Sequence, residues 1–178
     1  ASRHAGGPDE GGLETGAGGY TLVGESEIAL HQDLNSEKGR FELGFPAPAR
    51  KVLKGSIVTP FRLVPGDDAS CLNLYQALRP RLLGVPPSQI DRGGFRFSQV
   101  ASPVANPWKL LEMQPEPGVI PAIGDENSVR WILHLGLRQD LVVRDELGEP
   151  LRLRFVGLLS SSLFGSEILI PETELISH

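Results

Sequence analysis

The chain holds a single cysteine, Cys71, so an internal disulfide is excluded. A secreted domain of this size does not need one, which leaves the redox compartment open. Long apolar runs are also missing: nothing approaches the ~18 to 20 residues of a membrane-spanning helix, and no signal-peptide pattern is present. Positive charge is in deficit, with 17 Lys and Arg against 22 Asp and Glu, a net charge of -5. That balance excludes the basic footprint that nucleic acid requires and disfavours tight adhesion to anionic lipid. Methionine occurs once, as Met113, and the chain opens at Ala1 without an initiator. The expectation is a piece of a longer protein whose targeting and anchoring segments lie outside this sequence.

Glycine and proline, by contrast, are abundant: 21 and 15 residues, against a usual combined share of about 12%. They predict many turns, short strands and few long helices. Hydrophobic residues at 40% suffice for a packed core. Residues Ala1 to Gly19 carry almost no large apolar side chains and read as a flexible tether, with order starting at Tyr20.

Beyond the tether the expected domain spans residues 20–178, with two lobes at about 20–117 and 118–178. GYTLVGESEIAL reads as a strand, followed by a polar loop, HQDLNSEKGR, and a proline-rich turn. Ser56 to Val64 reads as a strand that Pro60 restricts to an edge or a bulge. CLNLYQAL reads as a strand, RPRLLGVPPSQIDRGG as a long connection, and GGFRFSQV as a strand with Phe95 and Phe97 on one face. NPWKLLEM and GVIPAIG read as strands around a Pro-Glu-Pro-Gly turn. Asp125 then caps a helix from about Glu126 to Leu135, whose stripe of Val129, Ile132 and Leu133 packs on the sheet and which Gly136 ends. DLVVRD and PLRLRFVGLL form a hairpin around Asp145 to Glu149, and SEILIPETELI passes from strand to helix at Pro171. The class is α+β, strand-rich, a mixed sheet with few short helices.

The chemical constellations each have a structural explanation. Asp67 and Asp68 follow Pro-Gly, where Asp serves turn hydrogen bonding. Neither they nor Gly124-Asp125-Glu126-Asn127 fits a calcium-binding loop. His4, His31, His134 and His178 lack partners at metal-ligand spacing. Ser160-Ser161-Ser162 has no nucleophile-elbow glycines. Cys71 sits among Leu72, Leu74 and Tyr75 and reads as a buried, unreactive core residue. Arg92 to Phe97 has interleaved aromatics but lacks the second motif of an RNA-binding sheet. No catalytic residue, cofactor site or metal site is expected.

Taken together, GYTLVGESEIALHQDLN, VTPFRLVPGDDASCLNLYQALRPRLLGVP, RGGFRF, NPW and IPAIGDENSVRWILHLGL followed by DLVVRDELGEPLRLRFVGLL resemble the extracytoplasmic portion of FtsX-like permeases. These are relatives of the MacB-type periplasmic core domain. The likeness runs from about Tyr20 to Glu174, with PGDDASCLNLYQ its most specific piece. It implies a periplasmic, non-enzymatic domain set between transmembrane helices of an ABC transporter in the cell membrane. Its partners would be those helices, a cytoplasmic ABC ATPase subunit, a second permease copy and a periplasmic or envelope protein, with no nucleic acid. The rival readings are a free-standing periplasmic enzyme of hydrolase type and an adhesin-like scaffold.

Overall fold

The fold grows from its plainest hairpin. Strand β7 (Asp140–Arg144) pairs antiparallel with the first half of β8 (Pro150–Leu159), from Asp140↔Arg154 to Arg144↔Pro150. Asp145 closes the turn, its carboxylate accepting from the backbone N–H of Leu147 at 2.9 Å and of Glu149 at 2.8 Å. Period-two alternation directs Leu153 and Phe155 into the core and leaves Arg152 and Arg154 on the other face. Near Val156 the alternation resets: Ala122 faces Phe155 but Ile123 faces Gly157. One extra residue is thus accommodated as a bulge. Beyond it β8 is buried on both faces, with Leu158 in one apolar cluster and Leu159 in the other.

A computed structural model describes residues 3–4, 12–66, 80–145 and 147–177. Around β8 runs a seven-stranded mixed sheet, ordered β3-β4-β9-β6-β8-β5 with β7 also on β8, curled into a half-barrel. Its further members are β3 (Arg62–Val64), β4 (Arg81–Val85), β5 (Phe97–Val100), β6 (Val119–Asp125) and β9 (Glu167–Pro171). β6 lies parallel to β8, and β4 parallel to β9. A separate two-stranded ribbon joins β1 (Arg3–His4) to β2 (Leu22–Val23). The stretches 20–117 and 118–178 both contribute strands to the one large sheet. The class is α+β, and no described helix reaches seven residues.

Each face of the sheet carries an apolar cluster. On one, Val85, Ile123, Leu159 and Leu169 pack under a 3-10 helix, Pro107–Glu112, whose Trp108 is fully buried. On the other, Ile120, Phe155, Ile168 and Ile170 pack with Val129 and, from helix α4 (Glu172–Ser177), with Leu175. Gly84 in β4 lets α4 lie close, because a Cβ there would stand 3.2 Å from Glu172 Cα.

Several local expectations are corrected. The expected strand GYTLVGESEIAL is reduced to Leu22–Val23. The polar loop contains helix α1 (Glu37–Glu42), capped by Ser36, whose hydroxyl accepts from Gly39 N–H at 2.9 Å. The proline-rich turn contains α2 (Ala47–Val52), with proline in its first turn. The connection RPRLLGVPPSQIDRGG holds β4, inside the sheet, and α3 (Pro87–Arg92). NPWKLLEM is the 3-10 helix rather than a strand, capped by Asn106 with Pro107 leading it. The strand expected over Ser56 to Val64 pairs only at Arg62–Val64, at the edge of the sheet, and Pro60 lies before the paired residues. CLNLYQAL falls outside the described residues.

Packing also begins before Tyr20. Phe95 N–H donates to Leu13 O at 2.5 Å, Arg96 N–H to Thr15 O at 3.3 Å, and Leu163 N–H to Gly16 O at 3.1 Å. Ala17 is buried at 6% exposure. The segment 12–19 is therefore docked on the domain.

Candidate functional site

Parallel strands leave the carboxyl ends of β6 and β8 side by side, and that end concentrates the irregular backbone. β6 finishes at Asp125, only 4% exposed. One carboxylate oxygen accepts from Asn127 N–H at 3.0 Å and the other from Ser162 N–H at 2.7 Å. Asp125 thus caps the next turn, as its sequence position suggests, and also ties that turn to the loop after β8. In that loop Ser161 takes φ +49°, and Ser162 Oγ is buried without a hydrogen bond to any described group.

After Asp125 the chain winds into a wide helical turn, with a π segment at Ser128–Ile132. Single π-turns frequently mark functional positions. The wider winding also changes which residues face inward. Val129 is buried, Leu133 half-buried, and Ile132 is 60% exposed beside Trp131 at 70%. The expectation that Ile132 packs on the sheet is corrected accordingly. His134 at φ +54°, rather than Gly136, turns the chain away.

Near the middle of β8 lies an open cleft of about 340 Å³, bordered by Leu110, Met113, Pro115, Phe155, Arg138 and Arg154. Arg138 adopts φ +65° and donates to Ala101 O at 2.5 Å. Arg154 is already committed: its Nε donates to Asp140 at 2.6 Å and its Nη1 to Glu116. Arg154 Nη2 adds a second bond to Asp140 at 3.1 Å, and Arg152 a third at 2.5 Å. Hydrogen bonding from Arg154 holds the Asp140 and Glu116 carboxyls below their ordinary values, and both carboxylates keep Arg154 protonated. Similarly, Asp91 and Glu112 hold Lys109 protonated. These pairs fix the surface; they do not create a reactive group.

A third feature is a projection between β2 and β3. It contains α1 and α2, and its side chains Ile28, Phe41, Val52 and Ile57 are 66% to 82% exposed.

Among the described residues singled out in sequence, Asp125 and Ser162 are brought together, the carboxylate accepting from Ser162 N–H at 2.7 Å, and the rest do not converge. Asp67, Asp68, Cys71 and His178 lie outside the described residues, as do the side chains of His4 and Glu146. His31 and His134 are far apart in the chain and share no hydrogen-bonding partner among the described residues. Arg92 stacks over the Tyr20 ring at 4.3 Å and donates to Gly18 O at 2.8 Å. Phe95 and Phe97 both pack on Trp108, at 5.5 and 5.8 Å between ring centres, as core aromatics. Among the described residues no group of three or more His, Cys, Asp or Glu could hold a metal ion. No described helix is long and apolar enough to cross a membrane. The sequence reading missed the exposed Trp131 and the Arg138 cleft. The only sequence signal for Trp131 is a large aromatic between charged Arg130 and the supposed core residue Ile132.

Comparison with protein-family models, with curated proteins and with solved structures finds no match to this chain.

Proposed function

We propose that this chain is the extracytoplasmic module of an FtsX-like ABC transporter permease, and that it works by binding and by moving as a body. In this reading ATP is hydrolysed by a cytoplasmic partner subunit. The membrane helices shift the domain, and the domain presses on a substrate or a periplasmic protein. The resemblance of the sequence segments to such permeases supplies the family.

The structural observation that supports a motion-transmitting role is the fastening of both end segments to the one sheet. The 12–19 segment is bonded to the residues leading into β5 and to the loop after β8. At the other end, α4 lies against β4, and its first residue Glu172 accepts from Arg62 Nε on β3 at 2.7 Å. A displacement applied at residue 12 or at residue 177 therefore acts on a segment packed against the sheet. Coupling of that kind needs a packed, two-position body rather than perturbed catalytic groups.

The test is topological. A cysteine placed at Leu147, 86% exposed on the hairpin turn, in the intact gene product with Cys71 replaced by serine, should react in whole cells with a membrane-impermeant thiol reagent. The intact protein should also co-purify with an ATPase subunit. Labelling only after the membrane is opened would overturn the reading. So would turnover of a hydrolase substrate by the purified chain that is lost on changing Asp67, Asp68 or Ser161.

A further inference from the structure

The cleft beside the middle of β8 combines an apolar lining with very few polar groups, the usual make-up of a small-molecule site. Leu110 and Val156, at 3% and 7% exposure, lie on its inner side, and Pro115 and the exposed Met113 border it further out. Its volume of about 340 Å³ falls in the range that such ligands occupy.

Two arginines border the cleft, Arg138 and Arg154, and their charges are not equivalent. Arg154 and Arg152 share the carboxylates of Asp140 and Glu116, two cations against two anions, so that network is neutral. Arg138 has no carboxylate partner among the described residues. Its guanidinium makes one bond there, from Nη2 to Ala101 O. A guanidinium carries five N–H donors, so most of this fork remains for another acceptor.

The backbone holds Arg138 in place against its own preference. Its φ of +65° lies in the left-handed region, which disfavours any residue with a Cβ. The strand β8 enforces it from both sides of the residue. Arg138 N–H donates to Phe155 O at 2.8 Å, and Phe155 N–H donates to Gln139 O at 3.1 Å. Backbone strain that the surroundings over-determine in this way clusters at binding sites.

We propose that the cleft binds a small monocarboxylate with an apolar body. The carboxylate takes the open edge of the Arg138 guanidinium, whose fork matches two carboxylate oxygens. The apolar body lies against Leu110, Val156 and Met113. A single uncompensated cation suits a monoanion, whereas a dianionic phosphate calls for more positive charge than the neutral Arg154 network leaves. The assignment stands on the cleft alone and is independent of the permease reading.

Met113 is the only methionine in the chain, so labelling the full chain with methyl-13C methionine gives one methyl resonance, at the rim of this cleft. Titration with octanoate should move that resonance saturably. Octanol, of the same length without the charge, should bind about tenfold more weakly or worse. Arg138→Asn keeps a side chain that tolerates the left-handed region. It should weaken octanoate about tenfold or more while the circular dichroism spectrum stays native. Arg62→Gln, on β3, should leave binding unchanged. Four results would overturn the proposal: no saturable shift up to about 10 mM octanoate, equal binding of octanol, indifference to Arg138→Asn, or displacement of octanoate by an equal concentration of inorganic phosphate. The last would assign the cleft to phosphate instead. None of these outcomes bears on thiol labelling at position 147, so the two readings fail separately.

Discussion

Substituting Gly18 by alanine puts the docking of the 12–19 segment to a direct test. Gly18 adopts φ +57°, and a Cβ built there lies 2.2 Å from Phe95 Cε2 and 2.3 Å from Cδ2. A left-handed backbone costs a non-glycine residue about 1 to 2 kcal/mol, and forcing an extra carbon into a packed site costs about 1 to 3 kcal/mol. Phe95 has little room to yield, with Trp108 at 5.5 Å, Phe164 at 5.2 Å and Tyr20 at 6.1 Å between ring centres. The expected loss is about 3 kcal/mol, or a fall in Tm of roughly 6 to 12 °C at this chain length. The cost has a ceiling: once the strain exceeds the free energy of docking, the segment detaches and takes the strain with it. Urea unfolding should therefore be paired with amide hydrogen exchange. Detachment exposes the N–H groups of Phe95, Arg96 and Leu163, whose acceptors are Leu13, Thr15 and Gly16. Gly24→Ala, where a Cβ meets nothing within 4 Å, is the control and should stay within about 0.5 kcal/mol. If Gly18→Ala matched that control with unchanged exchange at all three amides, the docked segment would be refuted.

Three further outcomes are expected. Asp125→Ala removes the acceptor for two backbone N–H groups and should cost about 2 to 5 kcal/mol by urea unfolding; a loss below about 0.5 kcal/mol would mean that water replaces the carboxylate freely. Val129→Ala should cost about 2 kcal/mol while Ile132→Ala stays within about 0.5 kcal/mol, and the reverse ranking would place the turn on the wrong face. The folded-state carboxyls of Asp140 and Glu116 are lowered by Arg154, so the stability they contribute is present above their unfolded-state values and is lost as pH falls from about 4. Asp140→Asn should flatten the stability-versus-pH curve in that acidic window, as followed by thermal melts, and an unaltered slope would count against the network.

The hairpin of β7 and β8 is legible in sequence because local signals agree: alternation on both sides and an Asp-led turn that closes on itself. Pro171 marks the passage from β9 to α4 for a similar reason, since it closes the strand directly before Glu172 opens the helix. The interior strand β4 is hidden because Pro80 and Pro86 bracket it closely. Prolines so spaced suggest the punctuation of a loop, although neither interrupts Arg81–Val85. α1 is obscured because glycine at its centre lowers helix propensity, while the close approach of Asp33 O that calls for glycine is tertiary. For the turn after β6, a 3.6-residue period assigns Ile132 inward, whereas π winding turns it outward. The candidate surfaces are less legible still. Exposure of Trp131, Ile57 or Val52 depends on what packs nearby, and their apolar character in sequence suggests the opposite.

The half-barrel has an unequal seam. β6 and β9 are registered at only two positions, Ile123 with Leu169 and Gly124 with Ile168, whereas β6 and β8 pair along seven. The sheet is thereby divided into a leaf of β3, β4 and β9 and a leaf of β5, β6, β7 and β8. The docked segment 12–19 is bonded beside β5 on the second leaf, and α4 rests on the first. Tension applied between residues 12 and 177 consequently crosses the joint with the fewest backbone bonds, held largely by the apolar side chains packed on either side. Such a joint behaves as a compliant spring rather than a brittle clasp. In an optical-tweezer pull on these two positions, the leaves should part at lower force than the β6–β8 ladder, which yields only afterwards.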